Sequence, residues 1–359
     1  MKKSFKAMFL LTQSPGLSWY RCHSFVKRMK IDTAIWPDCG YEKLPNWQEV
    51  LERETDKKKI DIVTEWIVKE AVSSNVIVSQ RVWTAQGLAV LYALKEHWNK
   101  KVLLEIDDDA FNVDSSNPAF VGLTDRKTKI FKTQLELADG VITTNENLKE
   151  LYQQHNKKVF IVKNAINFNL WDRVPKPKTK GKKVKIGWQG AWHHGEDLSI
   201  LEPVIPKILK KYKGKVEFHF FGYIPEYLKG CCKFHEMKPI DKYIRYIVSQ
   251  NLDIILAPLQ DTHFNRGISN IRVLEAGAMK KAVVASDNKN LIYAKTINGT
   301  DDGDGLLVKT TEDWIDNISY LIDNPDERRK MGSRLYYKVK RDYNAKDVAQ
   351  EYEKILKNI

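Results

Sequence analysis

The sequence predicts an α/β protein made of two Rossmann-like halves, each a parallel sheet covered by helices, with a helical tail. Three observations carry this. Short Val- and Ile-rich runs alternate with longer amphipathic stretches over residues 5–162 and again over 184–308, the pattern of strands buried on both faces. Between the two series lies Asn164–Gly181, with two prolines, a basic run and no periodicity, which reads as a linker. After Thr310 only helical patterns follow. A chain of 359 residues also exceeds the usual single domain, so two of roughly 150–180 residues are expected.

In the first half the expected strands are Phe5–Leu11, Asp32–Trp36, Val76–Ser79, Val102–Ile106, Gly140–Thr143 and Val159–Val162. Helices are expected at Trp47–Glu54, Ile60–Val72, Leu88–His97, Lys127–Leu137 and Glu146–Gln154. The second half offers strands at Val184–Trp188, Val216–Phe221, Ile254–Ala257, Ala282–Ala285 and Gly305–Val308. Its helices are Leu198–Lys211, Asp241–Gln250 and Ser269–Met279, followed by Thr311–Ile322, Pro325–Asp342 and Ala345–Lys357. The division is thus an N-terminal domain over 1–165, a linker over 166–183 and a second domain over 184–340. A C-terminal helix, 341–359, is free to pack back on the first domain. In open α/β sheets the ligand crevice lies beyond the carboxyl ends of the strands, which here places it between the halves.

Composition narrows the classes. No run approaches the roughly 20 apolar residues of a membrane span. The apolar core of Met1–Gln13 is too short for a signal peptide and no small-residue cleavage site follows, so it reads as a first buried strand and the location as cytoplasmic, with peripheral contact at a membrane face left open. Cys22, Cys39, Cys231 and Cys232 show no C-x-x-C or metal spacing and read as reduced thiols. The net charge of +13 favours phosphate-bearing partners, or else a solvated lysine-rich surface with clusters at Lys176–Lys185 and Lys207–Lys215.

Four loops follow strand ends. Thr12–Arg21 offers a turn at Gly16 and a stacking and anion-binding surface in Trp19, Tyr20 and Arg21; it lacks the G-x-G-x-x-G fingerprint of a dinucleotide enzyme. Asp107-Asp108-Asp109 supports three readings: a D-x-D metal motif, a general base or acceptor-hydroxyl ligand, or a solvated turn with a helix cap. The second α/β half disfavours the metal. In Gly187-Trp-Gln-Gly-Ala-Trp-His-His194, Gly187 and Gly190 admit close backbone approach, His193 and His194 can donate to a phosphate or leaving group, and Asp197 can cap the next helix. Last comes Ala257–Glu275. Asp261, His263, Asn265 and Arg266 line the approach, Ser269 and Asn270 open a helix, and Arg272 and Glu275 sit one turn apart in an apolar context that argues against exposure.

These residues resemble the donor domain of GT-B glycosyltransferases of the family-4 type. The resemblance is carried by Ile186–Leu198, Ile255–Asp261, Phe264–Asn265 with Ser269–Glu275, Ala282–Ser286 and Gly305–Val308. It is strong over Val184–Ile359 and architectural before that. It implies that Glu275 binds the ribose hydroxyls of a nucleoside-diphosphate sugar, that Arg272, Ser269 and Asn270 serve the donor, and that the Gly187–Gly190 loop faces the diphosphate; Arg266, from its place in the loop, is a further donor-binding candidate. The sequence departs at Gly267, where the wider family often has the first glutamate of E-x7-E, and at His193-His194, which replace an Arg…Lys clamp.

The expected activity is transfer of a sugar from a UDP- or GDP-sugar to an acceptor hydroxyl. It is retaining and metal-independent by the resemblance, with no cofactor, Asp107, Asp108, His193 and His194 as catalytic candidates, and Gly16, Trp19, Tyr20 and Arg21 for the acceptor. The acceptor is an envelope glycan or lipid-linked saccharide. Alternatives are a viral enzyme that glycosylates a hydroxymethylated base in DNA, which requires base flipping, and a non-catalytic glycan- or nucleic-acid-binding protein on the same fold.

Overall fold

The computed structural model describes residues 4–11, 15–36, 46–113, 124–175, 177, 183–300 and 302–359. Thr12–Ser14, Cys39 and much of the linker's basic run lie outside them. The chain divides into two compact units: Met1–Phe111 with Val121–Asn164 and Ala345–Ile359, and Asn112–Phe120 with Ala165–Asn344.

The first unit holds strands β1 (Lys6–Leu10), β2 (Asp32–Trp36), β3 (Val76–Gln80), β4 (Lys101–Glu105), β5 (Gly140–Thr143) and β6 (Val159–Ile161). They form one parallel sheet in the order β2-β1-β3-β4-β5-β6. Central strands such as β3 are buried throughout, as expected of a sheet with helices on both faces. Side-chain caps start the helices: Asn46, Asp56, Thr84, Thr124 and Asn145 each accept from an amide in the following turn. The C-terminal helix Ala345–Asn358 belongs to this unit, and Tyr352 packs edge-on against Phe9 and Phe25.

The second unit holds β7 (Val184–Gln189), β8 (Val216–Phe221), β9 (Lys233–His235), β10 (Ile254–Ala257), β11 (Ala282–Ser286) and β12 (Leu306–Val308). All pair in parallel, in the order β12-β11-β10-β7-β8-β9. Counted along the unit, this is the 3-2-1-4-5-6 order of dinucleotide-binding sheets, and the order reverses between β7 and β10. The crevice therefore opens beyond Gln189 and Ala257. Its core joins Ile186, Trp188, Phe218, Phe220, Leu256 and Val284 to Leu201, Ile205, Trp314 and Ile318. Thr310 and Asp313 close a reciprocal capping box at the start of helix Thr311–Asp323.

Two expectations are corrected and one strand was missed. The Thr12–Arg21 stretch is not a loop where it is described: Pro15–Val26 is helical, with a π-turn at Trp19–His23. The Leu88–His97 pattern is an α-helix over Ala85–Tyr92 that ends in a second π-turn. Strand β9 went unseen because an edge strand of Lys, Phe and His, buried on neither face, carries no apolar run.

Candidate functional site

Strand β7 ends at the switch point with Gln189, and Arg272 from helix Ile271–Met279 closes over it. The Arg272 Nε donates to Gln189 O (2.9 Å), Nη1 donates to the Tyr293 hydroxyl (3.0 Å), and the guanidinium lies 5.1 Å from the Trp188 ring centre. Arg272 is only 8% exposed. Among the described residues it makes no ion pair with a carboxylate. A buried guanidinium held by a carbonyl, a hydroxyl and an indole face keeps its charge uncompensated, and such a charge attracts an anion.

Glu275, one turn further, is 3% exposed. Its Oε2 accepts from Gln189 Nε2 (3.2 Å) and from the Tyr243 hydroxyl (2.8 Å). Burial and the Glu275 charge push the Tyr243 phenol well above its ordinary pKa, so it stays a donor. The Gln189 Oε1 is buried without a partner. A ligand hydroxyl there would satisfy an otherwise costly group. Glu275 and Arg272 thus sit off the solvated face, each held by other elements rather than by surface pairing.

Gly187 is interior to β7, where a Cβ would come within 2.4 Å of Leu252 Cδ1. At Gly190 a Cβ would meet Trp188 at 2.6 Å and Arg272 Nη2 at 2.9 Å, and the Gly190 amide donates to Phe221 O. These glycines let Leu252 pack and Arg272 reach across the strand end; the expected amide approach at Gly190 is taken by the backbone. Gly222 adopts φ +89° and passes against Gly190 O, a position only glycine fills without strain.

His194 Nδ1 lies 3.0 Å from Asp197 Oδ2, and Asp197 Oδ1 accepts from Gln260 N (2.9 Å) and Asn265 Nδ2 (2.7 Å). Asp197 is therefore a buried hub rather than a helix cap. Because a carboxylate can only accept, Nδ1 carries the proton in the neutral ring, and Nε2 presents a lone pair. Burial lowers the His194 pKa despite Asp197, while desolvation, His194 and Arg272 lower that of His193 to about 4. Both rings are neutral at pH 7, so the standing positive charge at this strand end belongs to Arg272. This corrects the expectation that His194 is ready to donate to a phosphate: in its neutral form it accepts.

The N-cap of helix Ile271–Met279 is Asn270, not Ser269, and its side chain bonds Thr296 Oγ1 (3.1 Å) instead of capping. Ser269 Oγ receives only a long contact from Ile271 N (3.5 Å). Arg266 pairs with Asp261 (2.9 Å), which also accepts from Asn288 (2.6 Å).

In the first unit Arg21 is 0% exposed; it pairs with Glu105 (2.6 Å) and donates to Val162 O (2.7 Å) and Asn164 Oδ1 (3.0 Å). Trp19 and Tyr20 are buried beside it, and Gly16 is half-buried with open space around its Cα. Trp19, Tyr20 and Arg21 thus form an internal strut, not the exposed stacking surface expected of a loop. Asp107 and Asp109 are each 4% exposed, which removes the solvated-turn reading for both. Asp108 pairs with Arg81, whereas Asp107 Oδ1 is buried without a partner. Among the described residues no group of three or more His, Cys, Asp or Glu side chains is placed to hold a metal ion.

Residues 201–354 match the family model for glycosyl transferase-like domains. Over that stretch the chain resembles a glycosyl transferase-like domain, and its fold is GT-B-like. Solved structures share the fold. HepE from Anabaena, determined with UDP-glucose, superposes with a TM-score of 0.65 at 12% identity over 99% of this chain and 100% of its own. A glycosyltransferase from Rickettsia africae gives 0.64 at 16% identity, over 99% and 98%. TarM from S. aureus, in complex with fondaparinux, α-GlcNAc-glycerol and UDP, gives 0.56 at 16% identity over 79% of this chain; the chain spans 55% of TarM's length. No curated protein sequence matches. No helix among the described residues is long and apolar enough to cross a membrane. Gln189, Tyr243 and Tyr293 were not among the residues that the sequence singled out for this cluster. A polar residue closing an apolar strand was the one local signal, and it pointed to Gln189.

Proposed function

We propose that this protein transfers a sugar from a nucleoside-diphosphate sugar to an acceptor hydroxyl, with the donor held by the second unit. The observation that carries the reading is Arg272, a buried cation without a carboxylate partner among the described residues, at the sheet's switch point. The diphosphate supplies the missing charge, and the start of helix Ile271–Met279 adds to the field. Glu275 and the unpartnered Gln189 Oε1 suit two vicinal ribose hydroxyls, with Tyr243 fixing the carboxylate. As the bond to the sugar breaks, Arg272 stabilises the charge that develops on the leaving diphosphate without a metal. His194, oriented by Asp197, offers Nε2 as a base or, once protonated beside the diphosphate, as a donor. A uridine diphosphate sugar is the first donor to test, because HepE and TarM were each determined with UDP. In the first unit, Asp107 is a better candidate than Asp108 for contacting the acceptor, since Arg81 already neutralises Asp108.

For the acceptor we propose a glycan or lipid-linked saccharide, consistent with the glycosidic ligands held by TarM. The net charge of +13 favours a second reading, DNA. A thermal-shift panel of UDP-, GDP-, ADP- and dTDP-sugars, followed by product analysis, tests the assignment. Stabilisation by one donor class, lost in Glu275→Ala, supports it; no shift with any donor rejects it. Salt-dependent binding of duplex DNA separates the two acceptors.

A further inference from the structure

Outside the site stands a row of polar side chains that the proposed reaction does not use. It starts on β8 at Glu217 and His219, crosses to His235 on edge strand β9, and ends at Tyr246 on helix Ile240–Ser249. His219 Nδ1 lies 2.9 Å from His235 Nε2, His235 Nδ1 lies 2.8 Å from the Tyr246 hydroxyl, and His219 Nε2 faces Glu217 Oε2 at 3.4 Å. Phe221 stacks on His235 with ring centres 4.4 Å apart, and Tyr246 meets Phe221 edge-on.

The polarity of the row follows from its ends. Burial and the neighbouring imidazole hold His219 neutral, and burial with Lys233, Lys185 and Lys238 does the same for His235. Each neutral ring then has one N–H and one lone pair. If Tyr246 accepted from His235, the His219 lone pair would face the Glu217 carboxylate. The favourable arrangement is the reverse: Tyr246 donates to His235, His235 donates to His219, and the His219 N–H points at Glu217.

Tyr246 is three residues from Tyr243, so the two lie on adjoining faces of one helix, one turn apart. The Tyr243 hydroxyl donates to Glu275. The apolar face of this helix (Ile240, Ile244, Ile247 and Val248) fixes its depth against the core, and apolar contacts are not directional. The hydrogen bond at Tyr246 is directional, and it adds an angular restraint to the helix that carries Tyr243.

We propose that His235 and Tyr246 are positioning residues of the donor pocket: through helix Ile240–Ser249 they aim Tyr243 at Glu275. The proposal rests on the donor reading above, and the experiment separates the two. UDP binding is measured by calorimetry on the full chain for wild type, Tyr243→Phe, Tyr246→Phe and the double variant, each with its melting curve. Tyr243→Phe is expected to weaken UDP about tenfold and Tyr246→Phe about fivefold. The double variant is expected to match Tyr243→Phe, because Tyr246 acts through Tyr243. His235→Asn, whose amide oxygen replaces the Nδ1 acceptor, keeps affinity near wild type, and His235→Ala does not. Wild-type affinity in Tyr246→Phe, or losses that simply multiply in the double variant, overturns the proposal. If Tyr246→Phe does not fold, the His235→Asn and His235→Ala pair decides: equal UDP affinities reject it. Wild-type protein that binds no UDP, GDP or ADP rejects the donor reading, and this proposal with it.

Discussion

Tyr243 donates a 2.8 Å hydrogen bond to Glu275 Oε2 inside the second unit, across 32 residues of sequence. The phenol occupies one side of a buried carboxylate whose same oxygen also accepts from Gln189. Removing the hydroxyl takes one hydrogen-bond donor from the buried Glu275 carboxylate. Tyr243→Phe should therefore cost about 1–3 kcal/mol of folding stability, measured by urea unfolding, together with the loss of nucleotide affinity given above. Unchanged stability would show that the carboxylate finds another donor.

His219 makes stability depend on pH. Its side chain is buried between β7 and β9, with Lys185 and Lys233 facing it along with His235 and Glu217, and its pKa falls to about 4. The unfolded chain takes up this proton near pH 6.5 and the folded chain only near 4, so stability is full above pH 6.5 and is lost as pH falls towards 4. The loss from this group is on the order of 3 kcal/mol. His219→Asn should flatten the curve of unfolding free energy between pH 6.5 and 4. A variant curve parallel to wild type would assign the acid sensitivity elsewhere.

Arg21 and Glu105 form an ion pair with both side chains fully buried in the first unit. Truncating one partner strands the other charge. Arg21→Ala is expected to destabilise by about 3–5 kcal/mol, and Arg21→Met paired with Glu105→Leu should restore most of that. Nucleotide binding in the second unit should not change in the folded double variant. A stable Arg21→Ala that fails only in acceptor use would return Arg21 to the acceptor site.

The parallel sheets were legible because buried strands are continuous Val and Ile runs, as in Val76–Gln80 and Ile254–Ala257. Burial of Arg272 and Glu275 was legible too, since apolar neighbours at Ile271, Val273 and Leu274 leave a helix little polar face. What was hidden depends on distance. Pro15-Gly16 reads locally as a turn, yet Trp19–His23 is a π-turn from which Arg21 reaches Glu105 and Asn164. Tyr243 looked like one more amphipathic helix position, and only the fold brings it to Glu275. Asp197 read as a cap, because nothing in its own segment announces Gln260 and Asn265 as partners.

The central claim is that Arg272 is an anion site left uncompensated by the protein itself. Calorimetric titration of UDP into wild type and Arg272→Met tests it most directly, with a melting curve for each. UDP affinity should fall by about a hundredfold. The melting temperature should hold or rise, because a buried unpaired charge gives way to an apolar side chain of similar length. Retained UDP affinity in a folded Arg272→Met protein would contradict the account.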